Sequence, residues 1–216
     1  MSAPECDLNL NTARLLMEEP FFAAISRRID KRASYAIPTA GVMVNPDTAQ
    51  FEMLYNPKFF ADLTDLQRAD ILKHEFYHVL FEHVTGRFPD GVNIKLWNIA
   101  TDLAINSHLH NLPEGGLIPG EKDSPFEHLP RGESAEWYMA NMPDFNKDEG
   151  NSQGPSSSEA QGQGENGGEP SDNQGDGSGI PDTLDDHSGW QECSQEVKEM
   201  ARERLKAVSY THLTLP

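Results

Sequence analysis

Apolar side chains are spread unevenly over the chain, and residues 8 to 142 carry nearly all of those able to form a core. Residues 8 to 32 space Leu8, Leu15, Leu16, Phe22 and Ile25 as a helix would, with a kink or break at Pro20, which has no amide to donate. Two strands are predicted next. The first runs from Ser34-Tyr35-Ala36-Ile37 through Pro38 to Gly41-Val42-Met43-Val44, and the second is Gln50 to Tyr55. Asn45-Pro46-Asp47-Thr48 between them is turn chemistry, and Pro38 sets the first strand at an edge or in a bulge. A helix over 65–84 follows, started by the capping pair Thr64 and Gln67 and stopped by Gly86. Leu66, Ala69, Ile71, Leu72, Val79, Leu80 and Val84 give it an apolar face. A second helix is expected over Asn93 to Leu109, and a short one over Ser134 to Met142, ended by Pro143. The fold class is α+β, with helices around a small sheet that keeps an exposed edge.

Beyond residue 143 the pattern stops. Residues 144–186 are Gly, Ser, Gln, Asn, Asp, Glu and Pro with hardly an aliphatic side chain, so they bury too little to offset chain entropy and read as a disordered acidic linker. Asp186-His187-Ser188-Gly189-Trp190 and a helix to about residue 208 read as the start of a further domain. Residues 209–216 match nothing before them and are expected to be a non-native tail.

The formal charge of −18 is mostly local, because eleven acidic residues and one lysine fall between Asp144 and Asp186. The rest is mildly acidic with no basic stripe, which argues against nucleic acid as a partner. Cys6 and Cys193 lie near opposite ends and neither belongs to a CxxC pair, so neither a thiolate metal site nor a disulfide framework is expected. With no leader pattern and no apolar run long enough to span a bilayer, the expected location is the cytoplasm.

The chemistry lies in His74-Glu75-Phe76-Tyr77-His78, inside the best-supported helix. Four residues rotate a helix by about 400°, so the two histidines share one face a turn apart and can bind one ion. Glu75 stands one residue further round, where it can take a proton from water on the ion's open side. The plainer alternative is two histidines on an amphipathic helix.

A catalytic zinc needs a third protein ligand. His83 follows His74 by nine residues, about 900°, and would face away on a continuing helix. The extended motif HExxHxxGxxH fails at Phe81 and Val84, and Glu82 would lie about 12 Å along the axis from His74. Asn98, Asp102 and Asn106 make a polar stripe on an otherwise apolar helix. Asp102 is therefore the expected third ligand, supported by Asn98 or Asn106, with solvent exposure as the alternative. His110 is expected to meet the end dipole of its helix. His187 either stays solvated or folds back as an extra or inhibitory ligand. Tyr35 and Tyr77 are candidates for oxyanion stabilisation, though Tyr77 suits a core position as well.

The chain resembles predicted metal-dependent peptidases in which a zincin-like domain is followed by an acidic linker and a von Willebrand factor A-like domain. The matching pieces are Asn56-Pro57, His74-Glu75-x-x-His78 with His83, Trp97-Asn98-Ile99-Ala100-x-Asp102, Ser134-Ala135-Glu136 and Asp186-His187-x-x-Trp190. The resemblance implies a zincin-like metallopeptidase domain over 8–143, and a von Willebrand factor A-like domain that this sequence does not contain.

The expected activity is hydrolysis of a protein or peptide by a zinc peptidase, with His74, His78 and Asp102 on Zn2+ and Glu75 as general base. A second reading is a zinc-containing regulatory module that works without catalysis, through the von Willebrand factor A-like domain and an ATPase or other protein partner. A metal-loading factor is a third and weaker one.

Overall fold

The computed structural model describes residues 6, 8–86, 91–143, 145, 180–185, 187–191 and 193–213. Met1–Met142 and Thr183–Pro216 form one compact unit, and Pro143–Asp182 form another. The described residues of the second unit adopt neither helix nor strand. Apart from Phe145 and residues 180–185, the acidic stretch expected to be a linker lies outside the described residues.

The first unit opens with α1 (Leu8–Glu18) and α2 (Phe22–Ser26), separated at Pro20. The helix expected to reach residue 32 stops early, because Ile29–Ala33 form a strand, β1. Its charged sequence hides this, and the pairing rather than propensity decides it: β1 lies parallel to β3 (Phe51–Tyr55), with Ile29 opposite Phe51 and Ala33 opposite Tyr55. β2 is Ala40–Val44 only, antiparallel to β3, with Val44 opposite Phe51 and Ala40 opposite Tyr55. The stretch before it, with Pro38, is loop. There Asn56 donates its backbone N–H to Thr39 O and its side-chain amide to Ile37 O. The sheet order β1-β3-β2 makes β3 the central strand.

Asn56 also caps α3 (Pro57–Asp62), and α4 (Asp65–Leu80) begins at the expected capping box. Gln67 N–H donates to Thr64 Oγ1 at 3.3 Å, and Thr64 N–H donates to Gln67 Oε1 at 2.9 Å. α4 ends four residues sooner than expected. Glu82 takes a left-handed φ of 60°, and the chain turns through Phe81 to Gly86. α5 (Ile94–Asn106) starts at Asn93, whose side chain accepts from the Lys95 and Leu96 amides. α6 (Ala135–Ala140) starts at Ser134.

Leu72, Phe76 and Val79 of α4 and Trp97, Ile99, Leu103 and Ile105 of α5 are fully buried, together with Met53 of β3 and Phe60 of α3. This core holds α4 and α5 side by side and fixes the faces they turn to one another. A short 3-10 turn (Ser188–Gln191) and α7 (Gln195–Leu213) complete the unit. Both pack on β2, and α7 also packs on α2. The residues expected to open a further domain thus belong to the same compact unit as the N-terminal helices and sheet. Among the described residues no helix is long and apolar enough to cross a membrane.

Candidate metal centre

α4 buries three ionisable side chains within one and a half turns: His74 at 4% exposure, Glu75 at 0% and His78 at 0%. Charged groups enter a core only where partners repay their lost hydration. Here the partners converge. The Nε2 atoms of His74 and His78 lie 2.8 Å apart, as the one-turn spacing allows. Asp102, buried on α5, brings Oδ1 to 3.4 Å from His78 Nε2 and 3.7 Å from His74 Nε2.

Asn106 orients the first imidazole. Its amide donates to Leu117 O at 2.9 Å, which turns its Oδ1 toward His74 Nδ1 at 2.8 Å. His74 therefore carries its hydrogen on Nδ1 and presents the Nε2 lone pair to the centre. Of the two asparagines expected to support Asp102, Asn106 acts on His74, while the Asn98 carbonyl accepts from Thr101 Oγ1.

His83 departs from the helical expectation. Because α4 has ended by residue 80, the chain doubles back, and His83 N–H donates to His78 O at 3.0 Å. The ring is buried, with Nδ1 3.2 Å from His78 Nδ1, so it touches the side of His78 that faces away from the centre. Glu82 pairs with Arg202 of α7 instead. His110 is exposed and not at the end of α5. Its N–H donates to Asp70 Oδ2. Tyr77 packs edge-on against Phe22 and stacks on Phe81, and Tyr35 is 55% exposed under the Lys58 ammonium, so neither makes a described contact with the cluster.

The third contribution comes from the end of the acidic stretch. Asp185 places Oδ2 3.2 Å from His74 Nε2 and 3.4 Å from His78 Nε2, nearer to His74 than Asp102 comes and equally close to His78. His187, also folded in, sets Nε2 2.7 Å from Asp185 Oδ2, 3.4 Å from Asp102 Oδ1 and 3.5 Å from His78 Nε2. Sequence reasoning weighed His187 and missed Asp185. The available signal was an Asp-Asp-His triplet where apolar residues, Leu184 and Trp190, return to the chain.

The electrostatics are those of a cluster with opposing demands. Burial pulls His74 down, but the charge of Asp185 and the hydrogen bond to it, then Glu75 and Asn106, hold it above its ordinary value. Burial, then the charge on His74, drive His78 well below. Burial and the neighbouring Asp185 push Asp102 well above the usual carboxylate range. Burial also works against an ionised Asp185, yet His187 and His74 hold it well below. A cation at the centre would be ligated by deprotonated groups, so its binding would release protons.

The residues suit such an ion. Donor atoms of His74, His78, Asp102 and Asp185 all lie within 4.8 Å of one another. Asp102 Oδ1 is buried without a hydrogen-bond partner among the described residues, a cost that a cation would remove.

A family model described as "Putative metallopeptidase domain" matches residues 5–212. The chain belongs to that family. No curated protein and no solved structure matches it. The family assignment and the buried His/Asp cluster together make this a metal-dependent peptidase at the level of its family, acting on peptide bonds. The matched span includes the helical motif on α4, Asp102 on α5 and the Asp185–Trp190 segment alike.

Proposed function

We propose that the protein is a zinc-dependent peptidase of the cytoplasm in which His74, His78 and Asp102 hold the ion and Glu75 is the general base. The observation that carries this reading is the convergence of two imidazole nitrogens 2.8 Å apart with a buried carboxylate beside them, on two helices locked into the core. Two imidazoles and a carboxylate favour zinc among the available ions. When bound, zinc supplies a Lewis acid that polarises the scissile carbonyl and lowers the pKa of water toward neutrality. Glu75, fully buried one position after His74, takes the proton from the attacking water and delivers it to the leaving amine. Asn106 keeps His74 in the tautomer that leaves Nε2 free to ligate. Cys6 and Cys193 as reduced thiols suit a reducing compartment.

One observation favours a second reading. Asp185 is a fourth protein donor within 4.8 Å of the others, and structural zinc sites are those with four protein ligands. In that reading the site is a zinc-stabilised regulatory module that serves an ATPase or other protein partner without catalysis. The test is paired measurement of zinc by elemental analysis and of casein cleavage, on the chain and on Glu75→Gln. One zinc in each with cleavage by the wild type alone supports the peptidase. One zinc in each with cleavage by neither supports the module, and no zinc in either overturns both.

A further inference from the structure

We propose that the segment from Leu184 to Cys193 is an intramolecular cap, holding in cis the surface on which an extended peptide substrate docks. This rests on the peptidase reading and adds a regulation of the same site.

The geometry of β2 comes first. β3 is paired on both sides, so the sheet's free edges belong to β1 and β2, and a substrate strand cannot add at residues 50–55. β2 also packs against α4, the helix that bears His74, Glu75 and His78. An antiparallel strand directs every second residue's N–H and C=O away from its partner. On β2 the outward carbonyls are those of Ala40, Val42 and Val44, and the last two are taken. The Trp190 indole N–H donates to Val42 O at 2.7 Å, and the Cys193 thiol donates to Val44 O at 2.8 Å. An extended peptide joining this edge needs those same carbonyls as acceptors.

The segment sits directly on the strand. At Gly189 an added Cβ would lie 3.0 Å from Met43 Cβ and Sδ, tighter than ordinary packing, so a side chain there would have to displace Met43 or lift the segment. At the other end Thr39 Oγ1, one residue before β2, donates to Leu184 O at 2.5 Å. Between these anchors the chain dips to place Asp185 Oδ2 at 3.2 and 3.4 Å from the two Nε2 atoms. His187 braces that carboxylate at 2.7 Å, with its ring centroid 4.1 Å from that of Trp190.

One continuous stretch thus covers both things a peptidase must keep accessible. A catalytic zinc retains a coordination position for water or substrate, and Asp185 stands as the fourth donor. A substrate strand requires open backbone acceptors, and Trp190 and Cys193 fill two of those on β2. They do so with side chains instead of a ladder of backbone pairs, so the cap is removable without dismantling the sheet. The occupant is therefore this chain's own segment, and its competitor is an extended peptide.

The test uses the full chain loaded with zinc, as wild type and as Trp190→Ala and Gly189→Val; neither residue is a metal donor, and while the Trp190 ring packs 5.0 Å from that of His78, Gly189 faces Met43. Acetohydroxamate, a small bidentate chelator that needs open positions on the ion, is titrated by calorimetry. Zinc content and casein cleavage are followed in parallel. The expected result is one zinc in all three proteins, with acetohydroxamate bound at least ten-fold more tightly and casein cleaved at least ten-fold faster by both variants. Unchanged chelator affinity with unchanged cleavage would overturn the cap and leave the peptidase standing. Loss of zinc from both folded variants would also overturn it, by making the segment a permanent part of the site. Tighter chelator binding with no cleavage by any protein would uphold the cap and sink the peptidase. Should the variants fail to fold, hydrogen exchange on the wild type decides. Amides of residues 187–191 should exchange faster once acetohydroxamate is bound, and unaltered exchange overturns the proposal.

Discussion

The donor atoms of the cluster come from two regions built on different principles. α4 and α5 are regular helices whose backbone groups are internally bonded and whose inner faces, with Leu72, Phe76, Val79, Trp97 and Leu103, are fully buried. His74, His78 and Asp102 take their positions from that packing. The described residues of Leu184 to Cys193 form a single 3-10 turn, and the segment is held to the sheet by hydrogen bonds from Thr39, Trp190 and Cys193. Side chains on packed helices keep their geometry until the protein unfolds. A segment tied by a few side-chain bonds opens locally at a much smaller free-energy cost. Asp102 and Asp185 lie at similar distances from the same imidazoles, but the first stands on a packed helix and the second on a segment tied by a few hydrogen bonds.

The largest expected effect strikes the helix side. Glu75→Gln should lower kcat by about 10²–10⁴-fold, the contribution of a general base, while one zinc per chain remains by elemental analysis. Retention of full activity would remove α4 from the chemistry. Next, Trp97→Ala, which opens a cavity at a fully buried position of α5, should cost about 3–5 kcal/mol in urea unfolding. Trp190→Ala should cost less than about 2 kcal/mol, since its segment releases before the core does. Equal losses would erase the distinction between the two regions.

Removal of the ion is expected to act through linkage. Zinc at about 1,000 times its Kd should stabilise the folded chain by about 4 kcal/mol, an increment that a chelator abolishes and that is missing from His78→Ala. Asn106→Ala, by freeing the His74 ring, should weaken zinc binding about 10–100-fold in a chelator competition while leaving the secondary structure intact by circular dichroism.

The last effect, which leaves the metal centre untouched, concerns the seam between α4 and the loop after α5. Burial raises the Asp70 pKa, but Lys73 at 2.7 Å and the amides of Asn111 and His110 outweigh it and hold the carboxyl below its ordinary value. A depressed carboxyl pKa contributes stability that is present above the unfolded value, near 3.9, and is lost as pH falls through the lower folded one. Asp70→Asn should therefore cost about 2 kcal/mol at pH 7. The gap to wild type should shrink in urea titrations carried out progressively below about pH 3.9.

Much of the helix side was legible because its signals are local. Thr64 and Gln67 announce the start of α4, and the spacing of His74 and His78 follows from 3.6 residues per turn. Asp102 stands out as a carboxylate on a strongly apolar helix. The sheet was harder to read. β1 has the sequence of a charged helix end and becomes a strand only because β3 offers an unpaired edge to Ile29. The order β1-β3-β2 follows from a parallel pairing with no local signature, so nothing in the sequence of residues 50–55 marks them as the central strand. His83 was lost to an assumption of helical continuity, since a left-handed Glu82 cannot be foreseen from propensity.

The sequence by itself determined that His74 and His78 share a helix face with Glu75 beside them, because that geometry needs only a few consecutive peptide units. It also determined that the acidic stretch has too little apolar surface to build a core of its own. The tertiary structure alone decided that Asp185 and His187, more than a hundred residues after His74, complete the same cluster. It also decided that Trp190 and Cys193 occupy the edge of β2. No periodicity links segments so far apart. They meet because Trp190 and Cys193 are buried against β2 with their polar hydrogens on its free carbonyls, and that fit exists only once the sheet has formed.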